Sequence, residues 1–283
     1  DTADQRTSVE RALEIATKLA TRMMRAMDGN ASEPALWQVD PNLRPEGKSG
    51  SLVRTLTSHI SYYERWAQNW EFQALLKARC VAGDRALGAA YEEATAAFVW
   101  VSAGRDGFVE SAQKMRERVM EYIPESEVDR QIKLGPGGLR DIEFTVQLLQ
   151  LVHGRTDTSV RQRDTLAGIA SLKDAGYISR DDAETFASHY RFLRSLEHRI
   201  QLAGMRRTHL MPTEELAQRA IARSLGLRSS EELISKWSQV KAEVRSLHQR
   251  VFYRPLLSAT ARLGEDGLSL SSDQVVDLSL IHI

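Results

Sequence analysis

A single cysteine, Cys80, stands in the 283 residues, so no disulfide can form within the chain. That usage fits a reducing cytoplasm. Net charge is lacking too. Thirty-eight Lys and Arg balance thirty-eight Asp and Glu, which argues against a broad nucleic-acid or membrane-surface binder. No apolar run approaches the roughly 20 residues that span a bilayer. The seven histidines show no H-x-x-x-H or Cys/His ligand spacing, and Cys80 has no evident base, so zinc and thiol chemistry find no support. The opening Asp1-Thr-Ala-Asp has no basic region before an apolar stretch, unlike a signal peptide, and without an initiator Met it reads as a cut chain. What is present is a core. Apolar residues make up 42% of the chain and charged ones 27%, and the length suits about two domains.

Hydrophobic periodicity predicts mostly helix. Ala12, Ile15, Leu19 and Met23 recur at helical steps over 8–28, and Asp28-Gly29-Asn30 ends that run. Residues 36–40 alternate like a strand, and Ser51–Leu56 is a plausible partner across the Gly/Pro loop 44–50. A helical pattern returns over 58–79, broken near Gly83-Asp84, and again over 106–123. The charged stretch Pro124–Arg130 suits a domain boundary. A short strand over 130–134 leads into Gly135-Pro-Gly-Gly138. Helices are expected over about 139–153, 161–175, 181–204, 213–225 and 230–254. The Ser-rich 268–283 has no helical stripe and reads as a disordered or non-native end.

Three segments could carry chemistry. In the first, Asp40 ends a strand before a glycine-rich loop with Arg44 and Lys48. Phosphoryl transfer needs carboxylates for magnesium and cations or backbone N–H groups for phosphate. The same residues also fit a hairpin whose Asp caps a turn. In the second, Trp70, Gln73 and Lys77 share one helix face, and a lysine beside a tryptophan there is a fair phosphate ligand. A Lys lying over a core Trp is the alternative. In the third, Lys133 and the glycines precede a helix N-terminus, a natural anion site or simply a cap. The helix beyond is apolar nearly all round, yet Arg140, Glu143, Gln147 and Gln150 form a polar stripe, which must face water, partners or a cleft. Arg191, Arg194 and His198, with Arg206-Arg207 beyond, read as a solvated face or a contact for an acidic partner.

Taken together, the motifs resemble the glutamine synthetase adenylyltransferases. They run V-D-x-x-L-R-P-x-G-x-x-G-x-L-V from Val39, Y-Y-x-x-x-A-x-x-W-E-x-Q-A-L-L-K-A-R-x-V-A-G-D from Tyr62, and K-L-G-P-G-G-L-R-D-I-E-F from Lys133. The likeness covers about Ala31 to Leu263. That family joins two nucleotidyltransferase halves, each followed by helices. One half adds AMP to a tyrosine of glutamine synthetase from ATP, and the other removes it by phosphorolysis, releasing ADP. The Lys133 motif is similar to that of the adenylyl-removing half, because the Phe-Asp-Leu-Lys start usual in the other half is absent.

The resemblance implies an α+β, mainly α fold. A partial polymerase-β-like nucleotidyltransferase domain would occupy 1–124 and an all-helical domain 125–265, followed by a tail over 266–283. It implies Mg²⁺ as cofactor, with ATP, ADP and phosphate as substrates or products. Asp40 would be the third metal-binding carboxylate and the catalytic one. Arg44, Lys77 and Arg79 would neutralise phosphates, while Lys133, Arg140 and Glu143 would build the far wall of the cleft. The first two metal carboxylates normally lie in a G-S-x-x-D-x-D segment, which this sequence does not contain. One carboxylate cannot clamp two metal ions about 4 Å apart, so the chain alone is expected to be inactive. The implied setting is cytoplasmic, with glutamine synthetase as protein substrate, a PII signal protein as a further partner, and neither nucleic acid nor membrane. Two rival readings are a uridylyltransferase of a PII signal protein, whose expected H-D phosphohydrolase pair is absent, and a non-catalytic helical interaction module.

Overall fold

A computed structural model describes residues 2–28 and 39–253. Among these the chain is helical and divides into two compact units, residues 1–99 and 100–283. No helix among the described residues is long and apolar enough to cross a membrane.

The first unit opens with α1 (Thr2–Met27), which covers the expected first helix. The anticipated strand over 36–40 falls largely outside the described residues. Its partner over Ser51–Leu56 is not a strand. The chain bends there, and Thr55 caps α2 (Leu56–Arg65) by accepting the Ser58 N–H at 3.2 Å. The single helix expected over 58–79 breaks into α2 and α3 (Asn69–Leu75). The break is built by Glu71, whose buried carboxylate accepts from the Gln68 N–H at 2.9 Å and the Tyr62 hydroxyl at 3.0 Å. This reciprocal cap restarts the helix. α4 (Arg85–Val101) was not anticipated. Its signal was Asp84, which accepts from the Leu87 N–H at 2.8 Å. Tyr63, Ala67 and Phe72 form the unit's small core, with Tyr62, Leu75 and Phe98 against it.

In the second unit α5 (Phe108–Glu121) leads to the glycine loop and α6 (Leu139–His153), whose bounds match the expected 139–153. α7 (Thr165–Asp174), α8 (Arg180–Gly204), α9 (Glu215–Ser224) and α10 (Ser230–Phe252) follow. α6 packs against α5, α7, α8 and α10, and every residue from Asp141 to Val152 is buried. A helix apolar on nearly all sides belongs in the middle of a bundle. The strand expected over 130–134 is a single bridge, Gln131 to Leu210, flanked by Ile132 N–H to His209 O and Met211 N–H to Arg130 O, each 2.9 Å. It extends no further because the carbonyls of Ile132 and Lys133 accept instead from Leu139 and Arg140, the first residues of α6. The mainly helical expectation therefore holds, while no β-strand occurs among the described residues. The Ser-rich end lies outside them.

Candidate functional site

The glycine loop packs tightly. Gly137 has φ +75°, and a Cβ there would lie 2.1 Å from the carbonyl oxygen of Lys241 on α10. Its N–H donates to Asp141 Oδ2 at 2.6 Å. The other Asp141 oxygen accepts from Nε of Arg116 at 2.6 Å. Arg116 is wholly buried and also donates to Leu134 O at 3.0 Å. His248 stands beside this pair, with Nε2 3.6 Å from Asp141 and Nδ1 2.8 Å from the Thr145 hydroxyl. Burial pushes the His248 imidazole down to about 4, the nearby Asp141 opposing, so it is neutral at pH 7. The N–H groups of Gly138, Leu139, Arg140 and Asp141 are all taken by backbone carbonyls. The helix N-terminus is thus closed from within. The expectation of an anion on it is corrected, because the glycines serve close packing and a buried Arg–Asp clamp.

One turn along, the charged part of the polar stripe joins a cluster of ion pairs. Glu143, 4% exposed, accepts from Nη2 of Arg194 at 2.8 Å, while its other oxygen lies 3.4 Å from Nη1 of Arg140. Arg194 reaches back to Glu197, 2% exposed, at 2.7 Å, and to the Tyr190 hydroxyl at 3.1 Å. Nδ1 of His209 lies 2.9 Å from Glu197. The Gln131–Leu210 bridge fixes both His209 and, two residues after Gln131, Lys133 beside this network. Burial lowers the Lys133 ammonium. Glu197 and Glu143 oppose that effect, and Arg140 and Arg194 add to it. Burial also works against the charge on Arg194, but its bonds to Tyr190 and Glu197 outweigh this and hold the guanidinium more firmly charged than usual. Burial raises Glu197 as well, yet His209, Arg194 and Lys133 bring it down to about 2. Three basic side chains, Lys133, Arg140 and Arg194, thus face two buried carboxylates, Glu143 and Glu197.

The far end of the stripe is different. Gln150 is buried and donates to the carbonyls of Val160 and Gln162, both at 2.8 Å, which bolts the following loop to α6. Of the basic face read around α8, Arg191 and His198 are exposed, and only Arg194 turns inward. Tyr190, Glu197 and His209 were not singled out. For Tyr190 and Glu197 the signal was the 190–194–197 spacing on α8, which resembles the α6 stripe; His209, beyond α8, had none.

The remaining sequence candidates lie in the first unit. Asp40 caps a short 3₁₀ turn, Pro41–Leu43, accepting from the Asn42 N–H at 3.0 Å. Arg44 is spent on its own loop, donating to Pro41 O at 2.8 Å, Gly50 O at 3.1 Å and Lys48 O at 3.3 Å. Glu46 beside it pairs with Arg54. Lys77 lies past the C-terminus of α3, so it does not share a helix face with Trp70 and Gln73 as expected. Both Lys77 and Arg79 are exposed. Among the described residues no three His, Cys, Asp or Glu side chains gather where they could hold a metal ion. Asp40 alone does not make a magnesium site.

Two family models match the chain. The one described as glutamate-ammonia ligase adenylyltransferase matches residues 1–94, and the one described as GlnD PII-uridylyltransferase matches residues 110–252. A bifunctional glutamine synthetase adenylyltransferase/adenylyl-removing enzyme of Leifsonia xyli is 57% identical over 93% of this chain and 26% of its own length. The proteins of that name from Streptomyces coelicolor and Bifidobacterium longum are 55% and 47% identical, over 93% and 95% of this chain and 26% and 27% of their own lengths. The chain thus spans about a quarter of the length of the curated relatives it matches. The relatives carry the adenylyltransferase name across both units, so the uridylyltransferase alternative is not favoured. The chain belongs to the family of bifunctional glutamine synthetase adenylyltransferase/adenylyl-removing enzymes, and its helical unit carries the region that the PII-uridylyltransferase model describes.

Proposed function

We propose that this chain is part of the adenylyl-removing half of such an enzyme. In that half, phosphate attacks the AMP carried on a tyrosine of glutamine synthetase, the tyrosyl oxygen leaves, and ADP is released. The observation that carries the reading is the inward-facing cluster of Lys133, Arg140 and Arg194 held by two buried carboxylates, a cationic surface suited to phosphate oxygens. The Lys133-Leu-Gly-Pro-Gly-Gly-Leu-Arg start of the same segment supports the removing half.

In this reading residues 1–124 end a polymerase-β-like catalytic domain, and 125–265 form its helical companion. Asp40 contributes one carboxylate to a magnesium site whose other ligands come from elsewhere in the parent enzyme. Lys77 and Arg79, both exposed, neutralise phosphate oxygens in this reading. Arg44, by contrast, shapes the Asp40 loop through its three backbone bonds and contributes by holding that loop in form. PII signal protein is a partner of the parent, and the setting is the cytoplasm.

The test is Asp40→Asn in the intact enzyme. Phosphate-dependent ADP release from adenylylated glutamine synthetase should disappear while AMP addition persists. Loss of addition with removal intact would show that the chain belongs to the other half.

A further inference from the structure

The charged cluster on α6 and α8 is more than a packing network, because its cations outnumber their partners. Glu143 and Glu197 are almost wholly buried and fully engaged. Arg140, by contrast, makes one long hydrogen bond, 3.4 Å to Glu143, and its Nε is buried with no hydrogen-bond partner. Its guanidinium lies over the Phe144 ring, 5.3 Å from the centroid. The Lys133 ammonium makes no hydrogen bond or ion pair among the described residues, although it is half-buried and feels all four neighbouring charges. A desolvated ammonium beside two guanidiniums is unfavourable unless an anion joins them. The carboxylates account for two of the three positive charges and leave one over.

We propose that Lys133, Arg140 and Arg194 form a binding site for one phosphate group, with Glu143 and Glu197 as positioning residues that hold the Arg194 fork in place. Arg194 is oriented from both sides, by Glu143 at Nη2 and by Glu197 at Nη1, so its remaining donors point in a fixed direction. Arg140 supplies the unpartnered Nε, and Lys133 supplies three donors. The ligand is a phosphate dianion, either free orthophosphate or the terminal phosphate of a nucleoside diphosphate. The inference rests on the functional reading above for the class of ligand, but it concerns groups of the helical unit alone.

Lys133→Gln gives the cleanest test, because it removes a charge that no carboxylate contacts directly. Titration calorimetry on the 283-residue chain at fixed ionic strength should show saturable binding of orthophosphate or of ADP, and none of adenosine. Lys133→Gln and Arg140→Gln should each weaken that binding at least tenfold, with the melting temperature unchanged or raised. The exposed Arg245→Gln should leave binding as it is. ADP binding at least tenfold tighter than orthophosphate would assign the site to a nucleotide, and equal affinity would assign it to the free ion. Either result supports the site. No binding of either anion would overturn it. So would unchanged affinity in both variants, or a melting temperature several degrees lower in both with affinity per folded molecule unaltered. Phosphate binding that survives while Asp40→Asn in the intact enzyme spares AMP removal would leave this site standing and reject the functional reading alone.

Discussion

Asp141→Asn should be among the most damaging conservative substitutions in the helical unit. The carboxylate is 2% exposed and accepts Arg116 Nε and the Gly137 N–H, each at 2.6 Å. Arg116 is wholly buried, so the amide would leave a guanidinium with no counter-charge. Breaking a buried pair from one side costs about 3–5 kcal/mol, most of it the stranded charge. For a unit of this size roughly 2–4 °C of melting temperature goes with each kcal/mol, so a fall on the order of 10 °C is expected. Adding Arg116→Met should recover part of the loss, because the stranded charge is gone. Recovery stops short of complete, since Arg116 also donates to the Leu134 carbonyl, and a buried acceptor left unpaired costs about 1–3 kcal/mol; the Gly135 carbonyl keeps the Gly138 N–H. Urea unfolding followed by circular dichroism measures all three proteins. A loss under about 1 kcal/mol in Asp141→Asn would refute the buried-clamp account. A double mutant no more stable than the single one would show that the cost lies in loop geometry, not in charge.

Further outcomes can be measured as well. Burial holds His153 and His248 each near pKa 4 in the folded chain, so in acid the unfolded chain takes up protons first, and stability should be full above about pH 6.5 and fall between there and pH 4 by on the order of 3 kcal/mol per histidine. Glu197, held down to about 2, adds a further loss only below its ordinary value near 4.5, and flat urea midpoints from pH 7 to 4.5 would contradict the histidine part. Gly137→Ala should cost several kcal/mol, because it adds a Cβ 2.1 Å from the Lys241 carbonyl at a left-handed φ, and a midpoint within 1 kcal/mol of wild type would show that the loop can move aside. Gln150→Ala should cost about 2–4 kcal/mol through a small cavity and one orphaned carbonyl, that of Gln162, since the Val160 carbonyl keeps the Gln162 N–H; faster hydrogen exchange confined to 160–162 would locate the damage. Last, the 283-residue chain by itself should release no ADP from adenylylated glutamine synthetase above a blank without enzyme.

The sequence was most legible where burial is uniform. α6 was readable residue for residue, because Gly138 sets its start and a run of large apolar side chains fixes its interior. α4 was missed because its strongest signal, Asp84 as a cap, sat beside Gly83 and read as a stop. Ser51–Leu56 looked like a strand beside the loop 44–50, but Thr55 caps α2 there and the backbone bends into that helix. At the site, Arg140 and Glu143 were found from a polar stripe, since charge on a buried helix demands a partner. The partner itself was harder to see. Arg194, Tyr190 and Glu197 meet that stripe only after α8 folds back on α6, and periodicity within one helix does not report which neighbour it will face. Arg44 carried the right chemistry for a phosphate, but the structure uses its donors on backbone carbonyls within hydrogen-bond reach.

The single bridge between Gln131 and Leu210 has a kinetic consequence. The flanking bond from Arg130 Nε to the Met211 carbonyl joins positions 81 residues apart, and the Thr145–His248 bond between α6 and α10 joins positions 103 apart. Closing a loop of that length costs about 4 kcal/mol of chain entropy before any contact compensates it. Helical hairpins should therefore form early, and the bridge late, together with the packing of α10 on α6. Lys133 and His209 reach the Glu143–Glu197 pair only through that closure, so a collapsed but unclosed chain would have helices without a cluster. Any anion the cluster holds would recognise the finished fold alone and would slow its opening.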